Sequence, residues 1–195
     1  GVAMGVESGS IVLRKSLLDR FMPDSEILRG FKELEETNIR ISANNIIGFP
    51  GETREDIMLT IDLNRKINPD TIMCNAFRPY AGTKLRKICI DKGLIPKEER
   101  AEDNRIYGAF YNGVLTSEEL ENIRKVFALY VSFPKSRWAE IRKAETDNAL
   151  YSKLMKEFND KQLLDRKNRQ NTPGSIHENI SAHELFINDP ESVVI

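Results

Sequence analysis

Three loops concentrate the residues that could do chemistry. They are Glu7-Ser8-Gly9-Ser10, Gly48-Phe49-Pro50-Gly51-Glu52 and Arg78-Pro79-Tyr80-Ala81-Gly82-Thr83, and together they offer carboxylates, hydroxyls, a guanidinium and backbone amides. In the second loop an apolar run, Ile46-Ile47, ends abruptly in two glycines that flank Phe49-Pro50. Glycine allows backbone angles and close approaches that a Cβ forbids, and Pro50 stiffens the turn. Thr53 and Asp56 follow as a capping-box-like pair, which turns the N–H groups and positive dipole end of the next helix toward the same space. That geometry predicts a polar or anionic ligand. Taken singly, each glycine turn is a tight connection; three at the carboxyl ends of successive strands make one shared site the economical reading.

The elements that position these loops are three βα units. A first strand, Val2 to Val6, precedes a helix with Ile27, Leu28, Phe31 and Leu34 on one face and an N-cap at Asp24 or Ser25. A second strand, from Ile39 to Ile47, leads through the glycine turn into a helix with Ile57, Met58 and Ile61 buried, ended by Asn68-Pro69. The third strand, Thr71 to Phe77, leads to a helix that stops at Gly93. Strands recurring at about 30 to 40 residues predict a parallel sheet. Beyond Gly93 the pattern is helical: Thr116 and Glu119 open a helix with Leu120, Ile123, Phe127 and Tyr130 inward. After Pro134 one longer helix is predicted to carry Trp138, Ile141, Leu150, Tyr151, Leu154, Met155 and Phe158. From Lys161 the chain turns polar and reads as a flexible tail with one docked segment at Leu185-Phe186-Ile187.

The 195 residues suffice for one substantial core, and 29 Lys and Arg against 30 Asp and Glu give a net charge of -1. No global basic field exists to attract nucleic acid, and no apolar run approaches the roughly 20 residues of a membrane span, so neither partner is expected and a cytoplasmic location is the default. Cys74 and Cys89 have no cluster-type spacing and read as reduced thiols. His177 and His183, in the polar tail, lack neighbouring ligands and read as solvated; Trp138 reads as a core or interface residue, and Lys97-Glu98-Glu99-Arg100 as a solvated face. No metal site is expected.

Gly5-Val6-Glu7-Ser8-Gly9-Ser10, Leu18-Asp19-Arg20, Asn44-Asn45-Ile46-Ile47-Gly48-Phe49-Pro50-Gly51-Glu52-Thr53 and Phe77-Arg78-Pro79-Tyr80-Ala81-Gly82-Thr83 resemble, in order and spacing, the later half of the radical S-adenosylmethionine core. The resemblance covers Gly1 to Ile95 and is nearest to the cobalamin-binding-domain branch, which includes anaerobic magnesium-protoporphyrin ester cyclases. It implies an α/β fold, the C-terminal half of a partial (β/α)6 TIM-like barrel, followed by a helical extension. Residues 1–95 would be the core, 96–160 the extension and 161–195 the tail. It further implies S-adenosylmethionine, a [4Fe-4S] cluster and, in this branch, cobalamin as cofactors, with a 5'-deoxyadenosyl radical modifying a small-molecule substrate. By motif position Glu7 and Ser8 would bond the ribose or amino group, Arg20 the carboxylate, and Asn44 would add a polar contact. Gly48, Pro50 and Gly51 would lie along the adenosine, while Glu52 orders its own loop. No catalytic residue is assigned.

The three-cysteine cluster motif of that family is absent, and neither Cys74 nor Cys89 occupies its place. The expectation is therefore a C-terminal portion of a longer protein, whose N-terminal half is its partner and holds the cluster. Arg78 stands where an aromatic is usual and Ala81 where proline is usual. Two other readings compete: a βα-barrel enzyme fragment whose glycine loops bind phosphate, and a non-catalytic module without a cluster.

Overall fold

In the computed structural model, residues 1–37, 39–97 and 110–170 are described, with side chains as far as 164. Three strands, β1 (Val2–Glu7), β2 (Ile41–Ile47) and β3 (Thr71–Ala76), form one parallel sheet in sequence order. Seven α-helices surround them among the described residues: α1 (Ile11–Ser16), α2 (Asp24–Glu35), α3 (Arg54–Ile67), α4 (Lys84–Asp91), α5 (Ser117–Ser132), α6 (Trp138–Ala144) and α7 (Asn148–Gln170). The chain divides into a compact unit, Gly1–Asn159, and a second, Asp160–Ile195.

The sheet has two unlike faces. Along β2 the residues Ile41, Ala43, Asn45 and Ile47 are buried and alternate with half-buried Ser42, Asn44 and Ile46. One core cluster joins Val6, Ile41 and Ala43 to Ile27 and Phe31 of α2 and Leu63 of α3. A larger one joins Ile47 to Ile57 and Ile61 of α3 and to the inner face of α5, with Ile141 of α6 and Leu154 of α7. Parallel register sets Gly5, Asn44 and Met73 in one row on the opposite face, where Met73 is 48% exposed. A third cluster, Phe49, Phe77 and Cys89, gathers at the strands' carboxyl ends, with the Phe49 and Phe77 rings 5.2 Å apart.

Four sequence expectations change. The short helix α1, capped by the Ser10 hydroxyl, was not predicted. Asp24 does not cap α2; Pro23 holds that position, and the Asp24 carboxylate pairs with the buried Arg14 guanidinium. The single helix expected after Pro134 is broken into a 3-10 turn (Lys135–Arg137), α6 and α7. The break is chemical: the Asp147 carboxylate accepts the amides of Ala149 and Leu150, each at 3.0 Å, and so starts a new helix. α7 continues to Gln170, past the predicted start of the polar tail. His177, His183, the Leu185–Ile187 segment and most of the Lys97–Arg100 run lie outside the described residues.

Candidate functional site

At the end of β2, Gly48 and Gly51 take φ of 88° and 86°, the left-handed region that a Cβ would strain. These angles fold the loop back on itself around Glu52, whose side chain is fully buried. Its Oε2 accepts the amides of Gly48 and, at 3.2 Å, of Phe49, while Oε1 has no partner among the described residues. Burial pushes this carboxyl up to about 8, against the two amides that favour its charged form. Glu52 thus orders the loop, as the sequence suggested.

The remaining amides of the loop are also engaged. Gly51 donates to the Asn112 carbonyl at 2.7 Å, Glu52 to the Phe49 carbonyl at 2.9 Å, and Thr53 to the Asp56 carboxylate at 3.1 Å within a full capping box. Pro50 has no amide hydrogen. The amides between Gly48 and Thr53 are therefore spent on the loop itself, and donors for a ligand would have to come from the first turn of α3 at Arg54 and Glu55. Gly48, Phe49 and Pro50 are buried, and the turn meets solvent through half-buried Gly51 and Thr53.

The loop after β1 is divided by one backbone feature. A register shift between Gly5 and Glu7, with Glu7 at φ 63°, interrupts the strand alternation. Glu7 keeps to the open side, where its carboxylate lies 3.5 Å from the Arg20 guanidinium. Burial raises the Glu7 carboxyl above its ordinary value, and Arg20 opposes this in part. Arg20 also donates to the Gly5 carbonyl at 3.1 Å. Gly5 is the ladder partner of Asn44, so Glu7, Arg20 and Asn44 share one side of the sheet. Among the described residues the Asn44 side chain has no recorded hydrogen bond.

Ser8 goes the other way. It is fully buried, its hydroxyl accepts the Ser10 amide at 3.2 Å, and its carbonyl accepts from Arg14 at 2.7 Å. Ser8, expected at the ligand, makes these bonds within the chain. Gly9 is no ligand glycine either; it sits against α3, donating to the Thr60 hydroxyl at 2.8 Å. Although burial pushes the Asp56 carboxyl up, bonds from the Thr53 amide and the Ser10 and Thr53 hydroxyls win and hold it below its ordinary value. These bonds tie the first two loops together. Lys84, the first residue of α4, pairs with Asp19 of the segment after α1 at 2.8 Å.

Sequence reasoning missed Asn112, which lies beyond the helices of the sheet and closes on the Gly48–Glu52 loop. Its spacing carries no periodic signal, and its partners are about 60 positions away. A cleft of about 380 Å³ lined by Gly9, Leu59, Asp62, Arg65 and Lys135 lies along α3 and does not include the predicted site residues.

No group of three or more His, Cys, Asp or Glu that could hold a metal occurs among the described residues. Burial raises the thiol pKa of Cys74, and that of Cys89 to about 11, whereas a cluster ligand must be a thiolate. The described residues do not fit an iron–sulfur cluster. They do fit S-adenosylmethionine in donor chemistry, since amino and hydroxyl groups meet acceptors and a carboxylate meets Arg20. Among the described residues no helix is long and apolar enough to cross a membrane.

No family model matches the chain. It is 32% identical over 92 residues, 46% of this chain and 20% of the other, to a tRNA-2-methylthio-N(6)-dimethylallyladenosine synthase of Aquifex aeolicus. The same-named protein of Caldicellulosiruptor saccharolyticus is 35% identical over 104 residues, 52% of this chain and 21% of the other. A protein of Pyrococcus horikoshii named "Probable threonylcarbamoyladenosine tRNA methylthiotransferase" is 28% identical over 148 residues, 68% of this chain and 35% of the other. The chain thus spans about a fifth to a third of the length of these relatives. Their names concern methylthio groups on tRNA adenosines and do not support the cobalamin-binding branch to which the motifs pointed, and they set tRNA against the expectation of no nucleic-acid partner. The chain is similar to enzymes that modify tRNA.

Proposed function

We propose that this chain supplies the S-adenosylmethionine-binding side of a radical S-adenosylmethionine enzyme that methylthiolates an adenosine in tRNA. The observation that carries the reading is the loop Gly48–Thr53, whose amides are all engaged internally, beside Glu7, Arg20 and Asn44 on the open side of the same strands. A phosphate site needs convergent N–H donors. This loop offers none between Gly48 and Thr53, which counts against a phosphate cradled by the loop itself.

In the proposed pose the backbone of the turn at Gly51 lies along the adenosine, with Phe49 packed behind it against Phe77. Glu7 receives the hydrogen bonds of the amino or ribose groups, and Arg20 pairs with the carboxylate as a guanidinium fork does. Residues 1–95 form this binding core within a partial (β/α)6 barrel, and 96–160 buttress it. When bound at a [4Fe-4S] cluster held by residues outside those described, the cofactor supplies one-electron chemistry that abstracts hydrogen from substrate. The relatives lend no support to a cobalamin domain, and none is included.

Two measurements test this. S-adenosylhomocysteine should raise the melting temperature of the full-length gene product, with inorganic pyrophosphate giving no shift, because a ligand that binds only the folded state stabilises it. The opposite pattern restores the phosphate reading. Deleting the gene should remove a 2-methylthio adenosine derivative from hydrolysed total tRNA; an unchanged nucleoside profile overturns the tRNA assignment.

A further inference from the structure

Asn112 has every hydrogen-bonding capacity of its side chain filled. The amide group donates to the Phe49 carbonyl at 3.1 Å and the Glu52 carbonyl at 3.0 Å, and its oxygen accepts the amides of Val114 at 2.9 Å and Leu115 at 2.8 Å. Two donors and two acceptors are all that an asparagine amide has. The main chain adds the bond from Gly51, and the Asn112 amide donates to the Leu115 carbonyl at 3.2 Å. Asn112 is completely buried. One end of this network is the Gly48–Glu52 loop; the other is the turn that leads through Thr116, the cap of α5.

Loop position here has two determinants of different kinds. Glu52 shapes the loop from within, bonding amides three and four residues before it. Asn112 fixes where the shaped loop stands, because among the described residues its side chain ties carbonyls of the loop to the segment entering α5. Pairing the Gly51 amide and the Phe49 and Glu52 carbonyls holds the loop backbone at three points.

We infer that Asn112 is the positioning residue for the cofactor loop, setting affinity for S-adenosylmethionine from outside the βα core without touching the ligand. The inference rests on the proposed function above. Asn112→Asp separates positioning from folding: it keeps the acceptor for Val114 and Leu115 but turns an oxygen toward the Phe49 and Glu52 carbonyls.

The test is carried out on the full-length gene product, measuring S-adenosylhomocysteine affinity by calorimetry and amide exchange by mass spectrometry. Asn112→Asp should weaken binding about tenfold or more, the scale of a lost buried hydrogen bond. Exchange should rise over residues 48–53 and stay unchanged in α5. Asn112→Ser, which keeps one donor, should show a smaller loss of affinity at a temperature where it is folded, and it stands in if the first variant does not fold. Faster exchange of the loop with unchanged affinity overturns the inference alone, as does no change in either. Failure of the unmutated protein to bind S-adenosylhomocysteine overturns both the inference and the function on which it rests.

Discussion

The Glu52 side chain accepts the amide of Gly48, four residues behind it, and closes the loop at the end of β2 into a ring with its carboxyl group inside. A buried carboxyl whose pKa rises from 4.5 to about 8 makes the fold pH-dependent in a definite direction. Between those values the folded chain holds a proton that the unfolded chain has released. This contribution is complete below pH 4.5 and is lost as pH rises through 8, by up to about 1.4 kcal/mol per unit. Glu52→Gln keeps an acceptor for the Gly48 and Phe49 amides but removes the titration. Thermal melts from pH 5 to pH 9 should therefore show the two profiles diverging; parallel profiles would exclude Glu52 as the titrating group.

Gly9 lets the loop after β1 press its backbone against that of α3. A Cβ there would overlap the Leu59 carbonyl and the Thr60 amide, both main-chain atoms of α3 that cannot swing aside. Gly9→Ala should cost about 1–3 kcal/mol, the range for forced overpacking. Urea unfolding reads it directly, and a variant within experimental error of the parent would show that α3 shifts without cost.

Glu7 and Arg20 make the third case, where function and stability separate. Glu7 occupies a left-handed conformation worth roughly 1–2 kcal/mol of strain for a residue with a Cβ. Glu7→Gly should leave stability equal or higher while weakening S-adenosylhomocysteine binding. Arg20→Ala should weaken it about tenfold, as loss of a charged hydrogen bond does. Undiminished affinity in both variants would remove this pair from the site.

A fourth prediction concerns the joint between α3 and the helical extension. Arg54 donates to Glu145 at 3.1 Å, Tyr130 donates to the same carboxylate at 2.7 Å, and Glu145 is only 6% exposed. Arg54→Met alone should destabilise by about 3 kcal/mol, because it strands a buried charge. Adding Glu145→Gln should recover part of that loss; a double variant weaker than the sum of its singles would refute the pairing.

What could be read from the sequence was what is periodic or local. The alternation from Ile41 to Ile47, the capping boxes Thr53–Asp56 and Thr116–Glu119 and the burial of Ile57 and Ile61 all follow from spacings of two to four residues. Ser8 was misplaced because the left-handed turn at Glu7 reverses the side on which the next residue falls. Arg14 was passed over because a charged residue is ordinarily exposed, whereas here it is 1% exposed and bonded to the Ser8 carbonyl and to Asp24. At Asn112 the sequence carries a local signal, the Asn112-Gly113 turn pair whose side chain bonds Val114 and Leu115, but not the reach back over about 60 residues to the Gly48–Glu52 loop. The roles of Glu7, Arg20 and Asn44 rest on resemblance, and their gathering on one side of the sheet is what gives that resemblance a physical form.

A loop with its amides already paired does not mould itself around a guest. Ordering entropy was settled when the chain folded, and no amide must surrender water when the ligand enters. Capture by the Gly48–Thr53 turn should accordingly follow a single kinetic phase with rates linear in ligand concentration. Selectivity then lies in rejection: a ligand rich in oxygens and poor in donors meets carbonyls it cannot satisfy, and leaves quickly.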